Sequence, residues 1–324
     1  MALSAQISEQ GGPDVIQWVE KDLSPPGPGE VRMRNTAIGL NFIDIYHRSG
    51  VYPLPMPNGL GVEAAGVIEA VGDGVTGFKP GDRVCTFGPM LGAYATERNI
   101  PAAMLLHTPE DVSDEMAAAL LLKACTAEFL VERCAFVQPG WPVLVHAAAG
   151  GVGQILVQWL KHVGAYVIGT VSTEDKARIA KAAGADEVLL STQDDVASRC
   201  RDLTNGLGVK VVFDGVGQDS WAGSLKATAR RGLVISYGNA SGPVTGVDLR
   251  SVASAGSLFI TRPTLFDYYA DPAERAAGAA RMFDLVRQGI IKADIRQRYP
   301  LTQAAQAHRD LDARKTSGST ILLP

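Results

Sequence analysis

The stretch HAAAGGVGQ, at residues 146–154, carries residue types that bind the phosphates of a dinucleotide. In the pattern G-x-G-x-x-G, Gly150 and Gly153 occupy the second and third glycine positions, and Ala148 occupies the first. Gly150 lets the backbone approach a pyrophosphate, and Gly153 lets a helix pack closely on the preceding strand. Ala148 is compatible with the turn if its φ is negative. We therefore expect a dinucleotide-binding turn here.

The segments on either side of this turn support that interpretation. The apolar run PVLVHA before it is typical of a strand buried in a parallel sheet. A second strand is predicted at YVIG, so the order is strand, glycine turn, helix, strand. The helix N-terminus offers N–H groups and a positive dipole end to phosphates. Apolar residues recur along one face of the predicted helix, at Val152, Ile155, Leu156, Trp159, Leu160 and Val163.

The end of the second strand indicates which dinucleotide is bound. An NAD site usually has an acidic residue there, which holds the ribose 2′-hydroxyl. Here Ser172 and Thr173 supply hydroxyls, and Lys176 follows on the next helix. Hydroxyls and an ammonium can bind a 2′-phosphate, which a carboxylate would repel. Glu174 and Asp175 are competing acids that also suit the first turn of a helix. NADPH is favoured, and NADH remains an alternative.

Metal and nucleophile chemistry lack a pattern in this sequence. Zinc sites need three or four clustered ligands, and a G-x-S-x-G elbow is absent. His146, at a strand end, is expected to be a hydrogen-bonded structural group. The reactive chemistry is therefore expected from the cofactor, as hydride transfer. The five histidines are scattered and none is close in sequence to a cysteine: His47, His107, His146, His162 and His308.

Length and composition predict two globular domains. The chain has 324 residues, of which 46% are hydrophobic and 20% charged, and its net charge is −4. No basic stripe is present, which argues against nucleic-acid binding. The N-terminus lacks a signal pattern, and charges break the apolar run MAAALLLKACTAEFLV, so we expect a cytoplasmic protein. A reducing compartment suits the four widely separated cysteines, Cys85, Cys125, Cys134 and Cys200.

The pattern of predicted secondary structure changes near residue 125. Before it, GEVRMRNTAIG, GVEAAGVIEAVG and GDRVCTF indicate short strands between turns. After it, strands and helices alternate up to residue 261, which predicts an α/β fold with a doubly wound parallel sheet. A helix at 273–288 and a strand at STILLP are expected to fold back onto the first domain. The predicted strands of the sheet are 143–146, 166–169, 187–190, 209–213, 233–237 and 258–261.

A set of longer segments carries a family resemblance. In chain order they are NFIDIYHRSGVYP (41–53), GLGVEAAGVIEAVG (59–72), KPGDRV (79–84), HAAAGGVGQ, FDGVG (213–217), SYGNASG (236–242), LFITRP (258–263) and KTSGSTILLP (315–324). Together they resemble the zinc-free, ζ-crystallin-like NADPH:quinone oxidoreductases of the medium-chain dehydrogenase/reductase superfamily. The resemblance implies a GroES-like catalytic domain (1–124 and 262–324) and a Rossmann domain (125–261), with the active cleft between them.

The resemblance also implies roles for individual residues. Asn41 stands where zinc-using relatives carry a cysteine, which implies a metal-independent reaction. Asn41, Asp44 and Tyr46 would face the nicotinamide and the substrate. Lys123 and Thr126 would lie near the nicotinamide ribose and phosphates.

The implied cofactor contacts fall mainly in loops after the predicted strands. Ser191 stands where relatives often carry a tyrosine. The pyrophosphate residues are Ala149, Gly150, Gly151, Val152 and Gly153. The adenosine-phosphate residues are Ser172, Thr173 and Lys176. The residues on the far side of the nicotinamide are Tyr237, Gly238, Asn239 and Ser241. Further contacts are assigned to Thr170, Ser191, Gly215, Val216, Thr261, Arg262 and Arg314.

Structural roles compete for several of these residues. Tyr46 can be a core aromatic residue, and Asp44 can cap a short helix. Glu63 can brace a loop. Lys176 and Arg314 can be solvated surface residues.

The main hypothesis is NADPH-dependent quinone reduction, in which Tyr46 orients a quinone carbonyl. One alternative is a zinc-free enone or alkenal double-bond reductase, for which Tyr46 or Tyr52 would have to supply a proton. Another is a non-catalytic NADPH-binding protein with a structural or RNA-binding role. The apolar edge segment GSLFIT further predicts a homodimer, because a bare edge strand invites pairing.

Overall fold

The computed structural model describes residues 1–324 and has an α/β architecture. The chain forms two compact units. The first unit contains Met1–Lys123, Asp271–Phe283 and Ala293–Pro324, and the second unit contains Ala124–Ala270 and Asp284–Lys292.

This division differs from the predicted domain boundaries. Residue 124 and the segments 262–270 and 284–292, which the sequence places in the first domain, belong to the second unit. Contacts explain the last two assignments. Tyr269 donates a hydrogen bond to Glu128, and the Lys292 backbone donates one to Gln158.

Sixteen strands and ten α-helices make up the fold, and a π-helical segment, Phe129–Cys134, continues the second helix. The strands are β1 (Ala2–Ile7), β2 (Gln17–Lys21), β3 (Glu30–Leu40), β4 (Asn58–Gly59), β5 (Glu63–Val71), β6 (Arg83–Phe87), β7 (Glu97–Pro101), β8 (Leu105–His107), β9 (Pro142–Val145), β10 (Tyr166–Val171), β11 (Glu187–Leu190), β12 (Val209–Asp214), β13 (Thr228–Ser236), β14 (Phe259–Thr261), β15 (Ile295–Pro300) and β16 (Ser319–Leu323). The helices are α1 (Phe42–Ser49), α2 (Asp114–Glu128), α3 (Gly151–Val163), α4 (Glu174–Ala182), α5 (Val196–Asp202), α6 (Gln218–Ala227), α7 (Leu249–Ser254), α8 (Leu265–Tyr268), α9 (Pro272–Arg287) and α10 (Ala304–Asp312).

The first unit is built on mainly antiparallel strands. One sheet has the order β15-β16-β3-β5-β6-β8, with β7 also paired to β3, and a smaller sheet has the order β2-β1-β4. Along β3, Val31 and Met33 are buried in the core while Arg34 is exposed, which is the alternation expected of a strand. The segments predicted as strands from GEVRMRNTAIG, GVEAAGVIEAVG, GDRVCTF and STILLP are β3, β5, β6 and β16, so these predictions are confirmed.

The second unit contains a six-stranded parallel sheet with the order β11-β10-β9-β12-β13-β14. Two strand series leave its centre in opposite directions, one from β9 and one from β12. Ligands of such sheets bind at the carboxyl ends of the strands, near this reversal. All six predicted strands are present, and the largest shift is at β13, which begins at Thr228 rather than at Leu233.

Two helices carry candidate catalytic residues, and the second of them, α2, contains the boundary between the units after Lys123. Asn41 precedes α1, and the helix ends at Gly50, whose φ of 93° lies in the left-handed region that favours glycine. The helix α2 contains Lys123 and Thr126. No helix of the protein combines the length and the apolar character that a membrane-spanning helix requires.

Candidate functional site

The glycine turn links β9 to α3. Gly150 is the N-cap residue of α3, and no side chain caps this helix. Its first N–H groups can therefore bind phosphate oxygens. A Cβ atom on Gly153 would lie 2.2 Å from the carbonyl oxygen of Ala147, so only glycine fits there. The left-handed conformation falls on Ala147 (φ 52°) and not on Ala148, so the condition under which alanine is compatible with this turn is met.

The loop after β10 and the first turn of α4 contain the predicted adenosine-phosphate residues. Thr173 is the N-cap of α4, and its hydroxyl accepts a hydrogen bond of 3.3 Å from the Lys176 backbone. Ser172, in the loop, and Lys176, in the first turn of the helix, are half-buried. Of the two competing acids, Asp175 forms a surface ion pair with Arg178. Ser172, Thr173 and Lys176 thus lie at one helix start, and their contact with a cofactor stays a prediction.

Two other predicted contacts in this region are engaged within the protein. The Thr170 hydroxyl is buried, 2.9 Å from His146 Nδ1. The Ser191 backbone and hydroxyl both donate to the Val171 carbonyl, at 2.8 and 3.1 Å. His146 Nε2 lies 3.0 Å from the Ser224 hydroxyl. His146 is therefore a hydrogen-bonded structural group, as expected from its position.

Asp214, the last residue of β12, organises the loop that follows. The carboxylate is fully buried, and its Oδ1 accepts from the backbone of Val216 at 2.9 Å and of Gly217 at 3.1 Å. The hydroxyl of Ser220 donates to both oxygens at 2.7 and 2.8 Å, and that of Ser224 donates to Oδ2 at 2.7 Å. The buried carboxylate therefore has a donor on each oxygen and fixes this loop.

The loop after β13 packs directly on the loop after β12. The Tyr237 backbone donates to the Asp214 carbonyl at 2.8 Å. A Cβ atom on Gly238 would lie 2.4 Å from the Gly215 carbonyl oxygen, and one on Gly215 would lie 2.8 Å from the Tyr237 ring. Gly238 is therefore required by the backbone of the facing loop, and a side chain at position 215 would displace the Tyr237 ring.

Three more predicted residues join the same pair of loops. Ser241 donates to the Val216 carbonyl from its backbone at 2.8 Å and from its hydroxyl at 2.9 Å. Arg262 follows the end of β14 at Thr261, and its Nη1 donates to the Ser236 carbonyl at 2.7 Å. When the amide oxygen of Asn239 faces this guanidinium, it accepts from Nη2 at 3.1 Å.

A buried polar cluster in the first unit brings together three predicted catalytic residues. The Asn41 backbone donates to Asp44 Oδ2 at 2.9 Å, and Asn41 Nδ2 donates to Glu63 Oε2 at 2.8 Å. Glu63 Oε1 accepts from the Leu122 backbone at 2.6 Å. Lys123 Nζ forms an ion pair with Glu63 Oε2 at 3.6 Å. Asp44 therefore caps α1, as one interpretation expects, and Glu63 connects Asn41 to Lys123.

Two atoms of this cluster are buried without a hydrogen-bond partner, namely Asp44 Oδ1 and Lys123 Nζ. Burial raises the pKa of Asp44 to about 7, although hydrogen bonds from Asn41 and Tyr94 lower it. Burial also raises the pKa of Glu63, and the charge of Lys123 lowers it. Because buried polar atoms are nearly always paired, an ammonium with unused donors indicates a place for a ligand acceptor group.

The structure places the remaining predicted residues as follows. The Tyr46 ring is buried in α1, and its centre lies 5.2 Å from that of the Tyr52 ring, while its contact with the nicotinamide or the substrate stays a prediction. Thr126 is buried and follows Lys123 on α2. Arg314 is exposed after α10 and has a left-handed φ of 57°. Its contact with a cofactor stays a prediction.

The second unit as described fits a dinucleotide. Apart from Thr126 on α2, its predicted cofactor residues lie at or just after the carboxyl ends of the six parallel strands, where nucleotides bind in sheets of this order. The uncapped N-terminus of α3 and the glycine-only position 153 suit a pyrophosphate. The residues at the strand ends are Ala149–Gly153 after β9, Thr170, Ser172, Thr173 and Lys176 at the end of β10 and the start of α4, Ser191 after β11, Gly215 and Val216 after β12, Tyr237, Gly238, Asn239 and Ser241 after β13, and Thr261 and Arg262 at β14.

Comparison with known proteins identifies the family. An alcohol dehydrogenase GroES-like domain matches residues 27–110, and a zinc-binding dehydrogenase domain matches residues 151–271. The chain is 48% identical over 325 residues to a quinone oxidoreductase of Pseudomonas aeruginosa, with 100% of both chains covered. This chain belongs to the quinone oxidoreductase family.

Two further relatives illustrate the range of this family. A crystal structure of Escherichia coli quinone oxidoreductase complexed with NADPH matches with a TM-score of 0.97 and 44% identity, over 99% of this chain and 100% of that one. A 2-haloacrylate reductase of a Burkholderia species is 45% identical, over 100% of this chain and 99% of the relative. The resemblance to the medium-chain dehydrogenase/reductase superfamily and the α/β fold with a GroES-like and a Rossmann-like part are confirmed.

Zinc, which one of the matching family descriptions names, does not fit the residues of this quinone oxidoreductase family member. No group of three or more His, Cys, Asp or Glu side chains is arranged to hold a metal ion. All four cysteines are free thiols, and three of them are buried. The chemistry proposed below therefore includes no zinc.

Sequence reasoning assigned no site role to Glu63, Tyr94, Asp214 or His308. Glu63 and Asp214 carried a signal, because an acid within or at the end of an apolar strand is buried and needs partners. Tyr94 and His308 carried none. They are 214 residues apart in the chain, and their hydrogen bond of 2.9 Å exists only in the folded protein.

Proposed function

We propose that this protein reduces quinones with NADPH and without a metal ion. The observation that carries the proposal is the full-length similarity to quinone oxidoreductases, one of which was solved with NADPH. NADPH, when bound, supplies the hydride that reduces the quinone. The protein contributes binding, orientation and electrostatic stabilisation.

The second unit supplies the phosphate contacts of this proposal. The N–H groups of Gly150–Gly153 bind the pyrophosphate at the uncapped N-terminus of α3. Ser172, Thr173 and Lys176 bind the 2′-phosphate through two hydroxyls and an ammonium. The pairing of Asp175 with Arg178 supports this assignment, because it offsets a negative charge next to the loop.

The first unit supplies polar groups for the nicotinamide end. Lys123 Nζ has no hydrogen-bond partner, and it donates to ribose hydroxyl or phosphate oxygens. Glu63 holds it in place through the 3.6 Å ion pair. Asn41 Nδ2 is engaged by Glu63, and the side-chain oxygen accepts from the Asp44 backbone in the capping box, so the second lone pair of Asn41 Oδ1 accepts from the nicotinamide carboxamide. Solvent protonates the reduced quinone, since this reaction needs no proton on carbon.

Steady-state oxidation of NADPH and NADH against benzoquinones, naphthoquinones, an enone and 2-chloroacrylate tests the proposal. The expected result is rapid quinone turnover with a preference for NADPH. Cofactor binding without turnover of any acceptor would contradict the enzymatic function.

The preference for NADPH has its own matched pair of variants. Lys176→Ala is expected to raise the KM for NADPH about tenfold and leave that for NADH unchanged, because it removes one charge-assisted contact. Lys181 lies on the same helix but donates to the Asp186 carbonyl, so Lys181→Ala should change neither value. An equal rise of the KM for NADPH and for NADH in Lys176→Ala would contradict the proposal that Lys176 binds the 2′-phosphate.

The similarity to a 2-haloacrylate reductase supports double-bond reduction as a second activity. That reaction needs a proton on carbon, and Tyr46 and Tyr52 are the neighbouring hydroxyl side chains in α1 and the loop after it. The variants Tyr46→Phe and Tyr52→Phe should then slow 2-chloroacrylate reduction at least tenfold and leave quinone reduction within about threefold. Equal loss of both activities would indicate a packing role.

We further propose a cytoplasmic homodimer that pairs through β14. This strand is the edge of its sheet, and Phe259 on it is 64% exposed. An exposed apolar edge strand favours pairing with a second copy. Sedimentation should show a dimer for the wild type and a monomer for Phe259→Asp, whereas a monomeric wild type would contradict the proposal.

A further inference from the structure

A chain of buried side chains in the first unit begins at Asp44, which is fully buried near the start of α1. Asp44 Oδ2 accepts from the Asn41 backbone at 2.9 Å and from the Tyr94 hydroxyl at 3.1 Å. The Tyr94 oxygen lies 2.9 Å from His308 Nε2. Tyr94 and His308 are fully buried, so these contacts form away from solvent.

The outer end of this chain is a guanidinium. Arg48 Nη1 lies 3.4 Å from His308 Nδ1, and Arg48 Nη2 donates to Asp312 Oδ2 at 2.9 Å. The Arg48 side chain is only 4% exposed, and the Asp312 side chain is 41% exposed. The chain thus runs from a surface carboxylate on α10 to a buried carboxylate on α1.

The chemistry of Arg48 fixes the direction of every hydrogen bond. A guanidinium has donors only, so His308 Nδ1 must accept from it. The neutral imidazole then carries its hydrogen on Nε2 and donates to the Tyr94 oxygen. Tyr94 in turn donates to Asp44. Burial and the charge of Arg48 lower the pKa of His308 to about 3, which keeps the ring in this neutral form.

A chain with this fixed direction cannot carry protons, because its outer end is an arginine that does not release one. The chain instead affects the protonation of Asp44, because Asp44 Oδ2 accepts from the Tyr94 hydroxyl as well as from the Asn41 backbone. The other charged groups facing Asp44 act in opposite directions. Glu63 raises the pKa of Asp44 and Lys123 lowers it.

We propose that Arg48, His308 and Tyr94 are positioning residues that hold Asp44 as an ionised hydrogen-bond acceptor and thereby fix the Asn41 turn. Asn41 is linked to Asp44 by its backbone and to Glu63 by its side chain. A change at Asp44 therefore reaches both Asn41 and the Glu63–Lys123 pair. The consequence for catalysis rests on the proposed function, but the effect on Asp44 does not.

The test is a pH titration of Asp44 in the ligand-free protein. Infrared difference spectroscopy of the carboxyl band monitors the titration, and Asp44→Asn assigns this band to Asp44. Tyr94→Phe keeps the buried ring and removes one donor to Asp44. The midpoint is expected to rise by about one pH unit, because one hydrogen bond to the ionised form is lost. An unchanged or lower midpoint would overturn the proposal.

Tyr299→Phe is the matched control. Tyr299 donates to Asp310 at 2.8 Å in the same unit but outside this chain. Its loss should leave the Asp44 midpoint unchanged. A shift equal to that of Tyr94→Phe would mean that the effect reflects general loosening of the unit.

A second pair of variants tests the direction of the chain. His308→Gln keeps one acceptor for Arg48 and one donor for Tyr94, so the midpoint of the Asp44 titration should stay at its wild-type value. His308→Leu keeps neither and should raise the midpoint as Tyr94→Phe does. Equal midpoints in the two variants would overturn the role of His308.

In the NADPH–quinone assay, the acidic limb of the kcat/KM profile should move with the Asp44 midpoint. A moved midpoint in a protein without quinone turnover would contradict the proposed function and leave the positioning role intact.

Discussion

Asp44 and Asp214 are both fully buried, one in each unit of the chain. Asp214 has donors on both oxygens, from two backbone groups and two serine hydroxyls. Asp44 has donors on Oδ2 only, and its Oδ1 has no partner. The same contrast holds for the basic groups nearby. His146 has a hydrogen-bond contact at each ring nitrogen, whereas Lys123 Nζ has none.

This difference separates two roles of buried polar residues. A network whose polar atoms are all paired stabilises a loop and is complete without a ligand. A cluster with unpaired buried atoms is incomplete by itself, and a bound ligand can complete it. On this basis the Asp214 network fixes the loops after β12 and β13, and we propose that the Asn41–Asp44–Glu63–Lys123 cluster contacts the reacting molecules.

The largest expected effect on stability is at Asp214. Asp214→Ala leaves two backbone donors and two hydroxyls without their acceptor, so the free energy of unfolding should fall by about 3–5 kcal/mol. Urea denaturation measures this. The exposed Asp219 at the start of α6 is the control, and Asp219→Ala should cost less than about 1 kcal/mol. A loss below about 1 kcal/mol in Asp214→Ala would contradict the stabilising role assigned to Asp214 in contrast to Asp44.

Asp44 should instead make stability depend on pH. Its pKa is about 7 in the folded protein and near 3.8 when unfolded, so the folded state binds the proton more tightly. The wild type should therefore lose stability relative to Asp44→Asn as the pH rises from about 4 to above 7. The loss should be on the order of 4 kcal/mol.

Urea denaturation of the wild type and of Asp44→Asn between about pH 4 and pH 8 measures how the difference in their unfolding free energies changes with pH. Glu63→Gln provides a second comparison, since burial also raises the pKa of Glu63. A constant difference between wild type and Asp44→Asn would show that Asp44 has similar pKa values in the folded and unfolded states.

The smallest expected effect is at His146. His146→Gln cannot reach both the Thr170 and the Ser224 hydroxyls, so unfolding should become easier by about 1 kcal/mol. Burial lowers the pKa of His146, so the ring is neutral in the folded protein. The effect should be constant above about pH 7.5, where the unfolded ring is neutral as well, and should shrink as the pH falls through about 6.5, because only the unfolded ring then binds a proton. His162→Gln, at an exposed position of α3, should change nothing. Thermal unfolding at several pH values decides this, and a wild-type advantage that grows as the pH falls would mean a charged His146.

The sequence allowed the parallel sheet and the glycine turn to be predicted, because both depend on local patterns. Alternating apolar segments located all six strands within a few residues, and the turn followed from three positions. Domain membership of 262–270 and 284–292 could not be predicted, since it depends on contacts such as Tyr269 with Glu128.

The candidate site was only partly predictable for the same reason. Family motifs located Asn41, Asp44 and Lys123, whose spacing along the chain carries the pattern. Their connection through Glu63, and the support of Asp44 by Tyr94, require strands and helices distant in sequence to meet. No local pattern records which buried atoms are left without a partner.

We propose that the Glu63–Lys123 pair is present for a ligand and not for stability. The most direct test is the double variant Lys123→Met/Glu63→Gln, which removes both buried charges and keeps similar volumes. We expect its unfolding free energy to stay within about 2 kcal/mol of the wild type, because replacing a buried ion pair is often neutral or stabilising, while the amide of Gln at position 63 can accept from only one of the two donors, Asn41 Nδ2 and the Leu122 N–H. NADPH-dependent quinone turnover, measured as kcat/KM on the same samples, should fall at least about 100-fold. Turnover within about threefold of the wild type, or a large loss of stability, would contradict the claim.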